Sequence, residues 1–397
     1  MKTIERHDYM ERLKRLKGTP DIKIITGMRR AGKSELLKAF RKYLEGLKQK
    51  IHIINIDFAN LIYEDLKEYR ALYQYVENQY QEGAENVLMI DEVQLCEKFE
   101  LAINSFHNSR KYDIYITGSN AFLMSSDLAT LFTGRHIQIS VYPFSYLEYS
   151  RYYQGGEEVS LENYLIKGGL AGSYLYKDKE DAIAYIKDVY NTIVKRDLVD
   201  KYNISEVALL DTVAEFLMDN ISNLTTASNI SNILRNNKLE TNHVTIGNYI
   251  RYLCNAFLFY KVRRYDIRGK KYLETNEKYY LGDLSFRYAM LGTRNMDYGR
   301  CYENMVAIEL LRRGYDIYVG KLYQKEVDFV AMKNEQKLYI QVSDNISDSR
   351  TLERELEPLK AIRDAYPKML IANTKHPVYD IEGIKVYDIE RWLGEKE

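Results

Sequence analysis

The sequence predicts an α/β fold whose core is a parallel β-sheet covered by helices on both faces. Between residues 21 and 142, short apolar runs alternate with longer segments whose apolar residues recur at the helical period. Such alternation is typical of parallel sheets, because each connection between parallel strands is long enough to hold a helix. The second observation is GMRRAGKS at residues 27–34, between the first apolar run and an amphipathic stretch. Two glycines followed by a lysine at this spacing indicate a phosphate-binding loop.

The expected elements of this first region follow in chain order. Strands are expected at five apolar runs: IKIIT, IHIINIDF, NVLMID, DIYITG and HIQISVY. Helices are expected at KSELLKAFRKYLEGL, LIYEDLKEYRALYQYVENQY and LCEKFELAINSFHN. The pattern then stays helical to about residue 220. Two short helices and a strand pair, LFYKVRRYDI and KKYLET, resemble a winged helix, and a second, smaller α/β unit begins after about residue 291.

Composition argues against several classes of protein. The chain has 397 residues with 57 basic and 57 acidic side chains, so contact with nucleic acid would need a local basic patch. Its three cysteines are far apart in sequence, which disfavours a disulfide framework and favours a reducing cytosol. The first residues lack the apolar stretch of a signal peptide, and no run approaches the ~20 apolar residues of a membrane span. We therefore expect a cytoplasmic protein without membrane contact.

The segment GMRRAGKS fits the pattern G-x-x-x-x-G-K-[ST] through Gly27, Gly32, Lys33 and Ser34. Glycines let backbone N–H groups curl around a phosphate, and the following helix presents the positive end of its dipole. Lys33 is expected to reach the β- and γ-phosphates, and the Ser34 hydroxyl to hold Mg²⁺. The alternative is a glycine turn that binds nothing, which the flanking strand and helix disfavour.

A second part of a triphosphate site is expected at the end of NVLMID. Asp91 ends this apolar run and Glu92 follows it. The aspartate would hold Mg²⁺ through its water shell, and the glutamate would orient and deprotonate the attacking water. An apolar run that ends in Asp-Glu is weak evidence alone, but here it follows a phosphate loop. The pair argues against a small GTPase or a nucleoside kinase, since neither needs a carboxylate base at this point.

Two further positions are candidates for the same site. The run YDIYITGSN ends in Ser119 and Asn120, and a polar side chain there would face the γ-phosphate if this strand lies beside the strand of the phosphate loop. Arg135 stands between a helix and the next strand, from where it would enter a neighbouring subunit's site and neutralise transition-state charge. The alternatives are an ordinary Gly-Ser-Asn turn and a surface arginine.

Four segments in this order, IITGMRRAGKSELL, VLMIDEVQ, ITGSNAFLMSSDLATLFTGR and VYPFSYLEY, resemble a family of bacterial and archaeal ATPases of the AAA+ superfamily. The resemblance continues through YLCNAFLFYKVRRYD, KYYLGD and EVDFVAM into a C-terminal region whose function is unknown in that family. It implies the AAA+ sheet with a helical lid, ATP and Mg²⁺ as ligands, and catalytic roles for Lys33, Glu92, Asn120 (first sensor) and Arg135 (arginine finger). Nucleotide contacts are expected from Gly27, Arg30, Ala31, Gly32, Lys33, Ser34 and Glu35, and metal contacts from Ser34 and Asp91.

A second sensor arginine, which many AAA+ proteins carry in the lid, is not evident in the sequence. Arg196 in VKRDL is the candidate. The expected domains are an ATPase core, a helical lid or linker, a winged helix and a small α/β domain, at residues 1–149, 150–202, 203–290 and 291–397.

The expected winged helix carries a basic patch. From Arg235 to Tyr272, nine lysines and arginines stand against two acids, a net charge of +7. Such a patch suits duplex DNA, with the helix from about Asn242 in the groove and Arg268 to Lys271 as the wing tip. The alternative is a protein-docking module with a solvated basic hairpin.

The last domain resembles the restriction-endonuclease-like fold through Glu303 on a helix, Asp328 in EVDFV and Gln341 in YIQVS. Active members use two acids to bind Mg²⁺ and a lysine to help activate water. Here Gln341 replaces the second acid and Ser343 replaces the lysine. A remnant nuclease fold that binds DNA or protein is therefore expected rather than an active nuclease.

The expected function is that of an ATP-hydrolysing AAA+ protein that acts on or with DNA. The expected partners are ATP, duplex DNA at residues 235–272, and further copies of the chain in which Arg135 completes a neighbour's site. Two alternatives stay open: a nucleotide-gated scaffold for protein partners with little turnover, and a nuclease gated by ATP.

Overall fold

The computed structural model describes residues 4–118, 132, 134–157, 159–293 and 296–395. The chain divides into two compact units, residues 1–142 and 143–397. None of the helices in the described ranges is long and apolar enough to cross a membrane.

The first unit is built on a five-stranded sheet in the order β2-β3-β4-β1-β5. All four neighbouring pairs are parallel. The prediction of a parallel α/β sheet in this unit is confirmed. The strands are β1 (Ile22–Thr26), β2 (Ile51–Asp57), β3 (Glu85–Asp91), β4 (Tyr112–Thr117) and β5 (His136–Ser140).

Helices cover this sheet, as the alternating apolar pattern predicts. The central strand β1 is buried along its whole length, as expected when both faces of a sheet are covered. A 3₁₀ segment, Leu61–Leu66, follows β2. The helices are α1 (His7–Leu16), α2 (Lys33–Glu45), α3 (Tyr69–Asn78) and α4 (Phe99–Ser109).

The second unit begins with helices. A π-helical segment, Ile193–Val199, extends α7. Helices α9 and α10 pack against each other, and each begins at a capping side chain, Thr226 and Asn242 respectively. The helices are α5 (Tyr146–Tyr153), α6 (Leu161–Lys167), α7 (Lys179–Thr192), α8 (Val207–Asp219), α9 (Ala227–Asn236), α10 (His243–Asn255), α11 (Leu284–Leu291), α12 (Tyr298–Arg312), α13 (Ser349–Lys360) and α14 (Ile389–Gly394).

An eight-stranded mixed sheet, in the order β12-β13-β11-β10-β9-β8-β6-β7, forms the rest of the second unit. Its centre is apolar, with Val327, Val330 and Tyr339 fully buried in one cluster. The strands are β6 (Phe259–Asp266), β7 (Lys271–Leu281), β8 (Asp316–Leu322), β9 (Lys325–Lys333), β10 (Gln336–Ser343), β11 (Lys368–Ala372), β12 (Tyr379–Ile381) and β13 (Ile384–Asp388).

The strand pair expected as the wing of a winged helix belongs to this larger sheet. Strands β6 and β7 form an antiparallel hairpin, and β6 also pairs in parallel with β8. The expected boundary between residues 290 and 291 therefore falls inside a region that shares one sheet. The first unit likewise ends at Tyr142, seven residues before the expected end of the ATPase core.

Candidate functional site

The loop between β1 and α2 has a backbone that requires glycine at its first position. Gly27 has φ +144°, and a Cβ placed on it would lie 2.0 Å from the carbonyl oxygen of Val141. Gly32 has φ +95° and stands directly before the first residue of α2. The two glycines therefore fix the path of the loop into the helix, and the first turn of a helix suits an anion.

Lys33 is the first residue of α2, and its side chain is held within the loop. The ammonium Nζ donates to the carbonyl oxygens of Gly27 at 2.9 Å and Met28 at 3.1 Å. Lys33 is buried, so its charge is concentrated at the inner surface of the loop. This position suits contact with the distal phosphates of a nucleotide.

The other expected nucleotide contacts divide between buried and exposed positions. Ala31 is buried, whereas Arg30 is exposed in the left-handed region with φ +64°. The carboxylate of Glu35 is exposed and pairs with Lys38 at 3.0 Å. The side chains of Arg30 and Glu35 therefore lie at the surface.

Ser34 and Asp91 are joined at the carboxyl edge of the sheet. A hydrogen bond from the Ser34 hydroxyl and another from Thr117 reach the buried Asp91 carboxylate. Burial raises the pKa of Asp91, and these two hydrogen bonds oppose that rise. The carboxylate of Asp91, the last residue of β3, therefore lies next to the start of α2.

This pair of side chains fits Mg²⁺, because a carboxylate and a hydroxyl supply the hard oxygen ligands that the ion prefers. Within the described ranges, no group of three or more His, Cys, Asp or Glu is arranged to hold a metal ion. Few protein ligands are expected for this ion, since nucleotide-bound Mg²⁺ takes much of its coordination from phosphate oxygens and water.

Glu92 lies one residue beyond Asp91, where the chain turns sharply. Its φ of +55° places it in the left-handed region, and its backbone N–H donates to Thr117 Oγ1 at 3.2 Å. Gln94 Nε2 donates to the Glu92 carboxylate. The carboxylate is half-buried and oriented, which suits a base that must meet a water molecule.

Thr117 is a site residue that the sequence reasoning missed. It is fully buried at the end of β4 and its hydroxyl links the Asp91 carboxylate with the Glu92 backbone. The available signal was a polar residue at the last position of an apolar run. Strand β4 lies directly beside β1, which is the arrangement that the prediction for Asn120 required. Ser119 and Asn120 themselves lie outside the described residues.

Asp57 is a second residue that was missed. It ends β2 and is paired in register with Asp91 on β3. Asp57, Ser34 and Asp91 line one cleft of about 200 Å³. The other side chains around this cleft are Leu37, Lys38, Arg41, Asn55, Asn60 and Tyr63.

Arg6 supports the phosphate loop from the segment before α1. Its Nη1 donates to the carbonyl oxygen of Ala31 at 2.9 Å, and the side chain is buried. No motif in the sequence marked this contact, because it joins residues that are far apart in the chain.

Arg135 lies at the amino end of the strands, whereas the phosphate loop lies at their carboxyl end. It precedes β5, and its carbonyl oxygen accepts from the N–H of Ile22 at the start of β1. Five extended residues span about 16 Å, so the side chain starts well away from the loop of its own chain. Its Nη1 donates to Asn108 at 3.0 Å, at the surface.

In the second unit, the basic patch is exposed on α10 and on the β6–β7 hairpin. Val244 is 59% exposed on α10, and on the same helix Arg251 donates to Asn248 at 3.1 Å. Lys261 pairs with Glu277 at 2.9 Å. The exposed basic side chains at the hairpin tip are Arg268, Lys270 and Lys271. Arg196 is exposed within the π-helical segment.

The acids expected to mark a remnant nuclease site do come together, around a lysine from another strand. Lys278 on β7 is buried and lies 2.8 Å from Glu303, 2.8 Å from Glu326 and 3.5 Å from Asp328. Tyr280 donates to Glu303 at 2.6 Å. Burial raises the pKa of Glu303 to about 8, although the Lys278 charge opposes this.

Gln341 and Ser343, the two replacements in the expected nuclease motif, make local hydrogen bonds. The Gln341 amide accepts from the N–H of Asp328 at 3.3 Å and donates to Glu355 at 3.0 Å. The Ser343 hydroxyl donates to the carbonyl oxygen of Asn345. The cation that Ser343 does not provide is supplied to this cluster by Lys278.

Two solved structures illustrate the range of the fold similarity. The Aeropyrum pernix ORC1 protein in complex with DNA has a TM-score of 0.31 and 9% identity, covering 79% of this chain and 94% of that one. AMPPCP-bound DnaA from Aquifex aeolicus has a TM-score of 0.28 and 12% identity, covering 54% and 69%.

Sequence comparison is more informative. A family described as an AAA domain matches residues 19–150, and one described as a domain of unknown function matches residues 158–297. An uncharacterized protein of Methanocaldococcus jannaschii is 26% identical over 93% of this chain and 84% of its own length. An uncharacterized protein of Haemophilus influenzae is 36% identical over 98% of both chains. This chain therefore belongs to one family with the Haemophilus influenzae protein, and its residues 19–150 are an AAA domain.

Proposed function

We propose that this protein binds ATP with Mg²⁺ and hydrolyses it. One observation carries the proposal: Thr117 links Asp91, which is hydrogen-bonded to Ser34, to the backbone of Glu92 beside the phosphate loop. This arrangement brings a carboxylate and a hydroxyl that suit Mg²⁺, together with a second, oriented carboxylate, to one edge of the sheet. A fold that only needed a glycine turn would not require either acid there.

The phosphate loop and Lys33 would bind the triphosphate. N–H groups of the loop and of the first turn of α2 would donate to phosphate oxygens, with the helix dipole adding to the attraction. The Lys33 ammonium already lies among the loop carbonyls. It would offset the negative charge that the β- and γ-phosphate oxygens gain during transfer.

Ser34 and Asp91 are the residues that would hold Mg²⁺. When bound, the ion supplies charge neutralisation and orientation at the phosphate oxygens. Asp91 must be ionised for this role. The hydrogen bonds from Ser34 and Thr117 favour that form, because they stabilise the carboxylate.

Glu92 is proposed as the general base. Its carboxylate would orient a water molecule towards the γ-phosphate and take up its proton. Gln94 holds the carboxylate by a hydrogen bond, and Glu92 itself stands in a left-handed turn. Asn120 as first sensor, Arg135 as a finger from a second copy and Arg196 as second sensor remain predictions.

The decisive experiment compares Glu92→Gln with Lys33→Ala in the full chain. Glu92→Gln should bind ATP as the wild type does but release phosphate roughly 10²–10³-fold more slowly, since general-base catalysis contributes rates of this order. Lys33→Ala should lose nucleotide binding. Glu97→Gln, an exposed acid nearby, serves as the control. Normal turnover by Glu92→Gln would refute the assignment of the base, and absence of turnover in the wild type would favour the nucleotide-gated scaffold.

We also propose duplex DNA as a partner, because of the basic surface on α10 and the hairpin. The exposed N-terminal half of α10 and the Asn248–Arg251 pair offer groups that can contact base edges. The hairpin tip concentrates lysines and an arginine that suit phosphate contacts. Within residues 235–272 the charge is +7 although the whole chain is neutral.

A salt titration of DNA affinity tests this second proposal. Several phosphate contacts predict a steep fall of affinity with salt. The double variant Lys270→Ala, Lys271→Ala should reduce the slope of log affinity against log salt by about 2. The control is Lys360→Ala, Lys375→Ala, which removes two exposed lysines of the same unit. Failure of the wild type to bind duplex DNA at low salt would exclude this partner.

The cytosol is the proposed location. Cys96, Cys254 and Cys301 are free thiols, which suits a reducing compartment.

A further inference from the structure

We propose that Asp57 is a second carboxylate of the magnesium site, acting on the ion through its bound water. This inference rests on the proposed nucleotide site and adds a residue to it. Asp57 belongs to no phosphate-loop or Asp-Glu motif, and its place in the site follows only from how the strands pair.

The register between β2 and β3 places Asp57 beside Asp91. Asp57 and Asp91 are the last residues of β2 and β3, and they are partners across this parallel pair. Partners in a parallel sheet point to the same face, and adjacent strands are about 4.8 Å apart. The two carboxylates therefore share one face at the same edge of the sheet.

Asp57 also shares a cleft with the proposed metal ligands. Asp57 lines the same cleft as Ser34 and Asp91, the two residues assigned to the metal. Asn60 and Arg41 line the same cleft, and Asp57 is half-buried, so Asp57 borders open space rather than packed core. A hydrated ion held at Ser34 and Asp91 would present its water molecules to this wall.

The negative charges of Asp57 and Asp91 also favour a cation at this position. Asp57 Oδ1 accepts from the backbone N–H of Ala59 at 3.0 Å. Among the described residues, no lysine or arginine forms an ion pair with Asp57; Lys38, which lines the same cleft, pairs with Glu35. Two acids side by side on neighbouring strands repel each other. A divalent cation between them would relieve that repulsion, and carboxylates that bind Mg²⁺ often do so through water.

The test measures metal dependence of nucleotide binding and needs no turnover. ATP affinity of the full chain is determined by calorimetry at increasing Mg²⁺, for wild type, Asp57→Asn and Asp57→Glu. Asp57→Asn should need roughly 10-fold more Mg²⁺ for the half-maximal effect, as outer-shell ligands contribute at this level, while affinity for metal-free ATP should not fall, since the variant removes a negative charge from the cleft. Asp57→Glu, which keeps the charge, should stay close to wild type.

The control is Asp65→Asn, an exposed acid on the 3₁₀ segment after β2 that does not line the cleft. Metal dependence in Asp57→Asn equal to that of this control would overturn the proposal. If Asp57→Asn does not fold, the pair Asp57→Glu and Asp57→Gln decides by the same criterion. Failure of wild type to bind ATP at all would instead refute the proposed function, so the two failures are distinguishable.

Discussion

Thr117 shows how one hydroxyl can join two acids with different tasks. It donates to the Asp91 carboxylate and accepts from the backbone N–H of Glu92. The hydroxyl therefore couples the position of the metal-binding acid to that of the base. A valine here would keep the volume but leave the buried Asp91 oxygen without this donor, which is costly in a buried site.

Glu303 gives a prediction on pH dependence. Its pKa is raised from the ordinary value of 4.5 to about 8, first because of burial and then because Asp328 is near. A raised carboxyl pKa means that the folded state binds a proton more tightly, so the resulting stability is complete below pH 4.5 and is lost as pH rises through 8. The groups around it are Lys278, Tyr280 and Asp328, and Glu326 pairs with the same lysine. The melting temperature should fall by roughly 3–10 °C between pH 6 and pH 9.

Thermal melts of Glu303→Gln across the same range test this claim. Glutamine keeps the size of the side chain and a hydrogen-bonding oxygen but cannot ionise, so its melting temperature should depend much less on pH. Glu357→Gln, an exposed acid on α13, should behave like the wild type. A pH dependence that is equally steep in Glu303→Gln would contradict the assignment.

At the scale of elements, strand β5 determines what Arg135 can do. The arginine stands at the amino end of β5, while the phosphate loop follows the carboxyl end of the neighbouring β1. If Arg135 contributes to hydrolysis, it must therefore come from another copy of the chain. Arg135→Ala should lower turnover by roughly 10³-fold, the usual effect of losing an arginine finger, with ATP affinity little changed.

Mixing two inactive variants distinguishes catalysis by Arg135 in a neighbouring copy from a purely structural role of Arg135. Arg135→Ala has an intact phosphate loop and Lys33→Ala has an intact arginine, so a mixture should regain turnover that neither variant shows alone. Lys111→Ala, which removes an exposed amine at the same edge, should have wild-type activity. A mixture without any gain in turnover would exclude Arg135 as a residue shared between copies.

The hairpin β6–β7 shows where local sequence patterns stop being informative. The two strands and their basic turn were evident from residues 258–275, but the pairing of β6 with β8 joins segments about fifty residues apart. Nothing within either segment specifies that partner. The same pairing accounts for the ion pairs of Lys278. A lysine on β7 reaches Glu303 and Asp328 only when the hairpin is part of the sheet.

For the whole molecule, the first unit follows from the sequence more fully than the second. Its five strands and the helices after β1, β2 and β3 were predicted, because alternating apolar runs and a glycine loop are local signals. Asp57 and Thr117 were not predicted as site residues, because their meaning comes from strand order and register. In the second unit, long-range strand pairing determines the sheet, and the expected boundary between residues 290 and 291 falls within it.

The most direct test of the whole account is a calorimetric titration of the folded full-length chain with ATP and Mg²⁺. The heat should saturate at one nucleotide per chain, be lost in Lys33→Ala and be retained in Glu92→Gln. A well-folded wild-type protein that gives no heat on adding ATP and Mg²⁺ would contradict it.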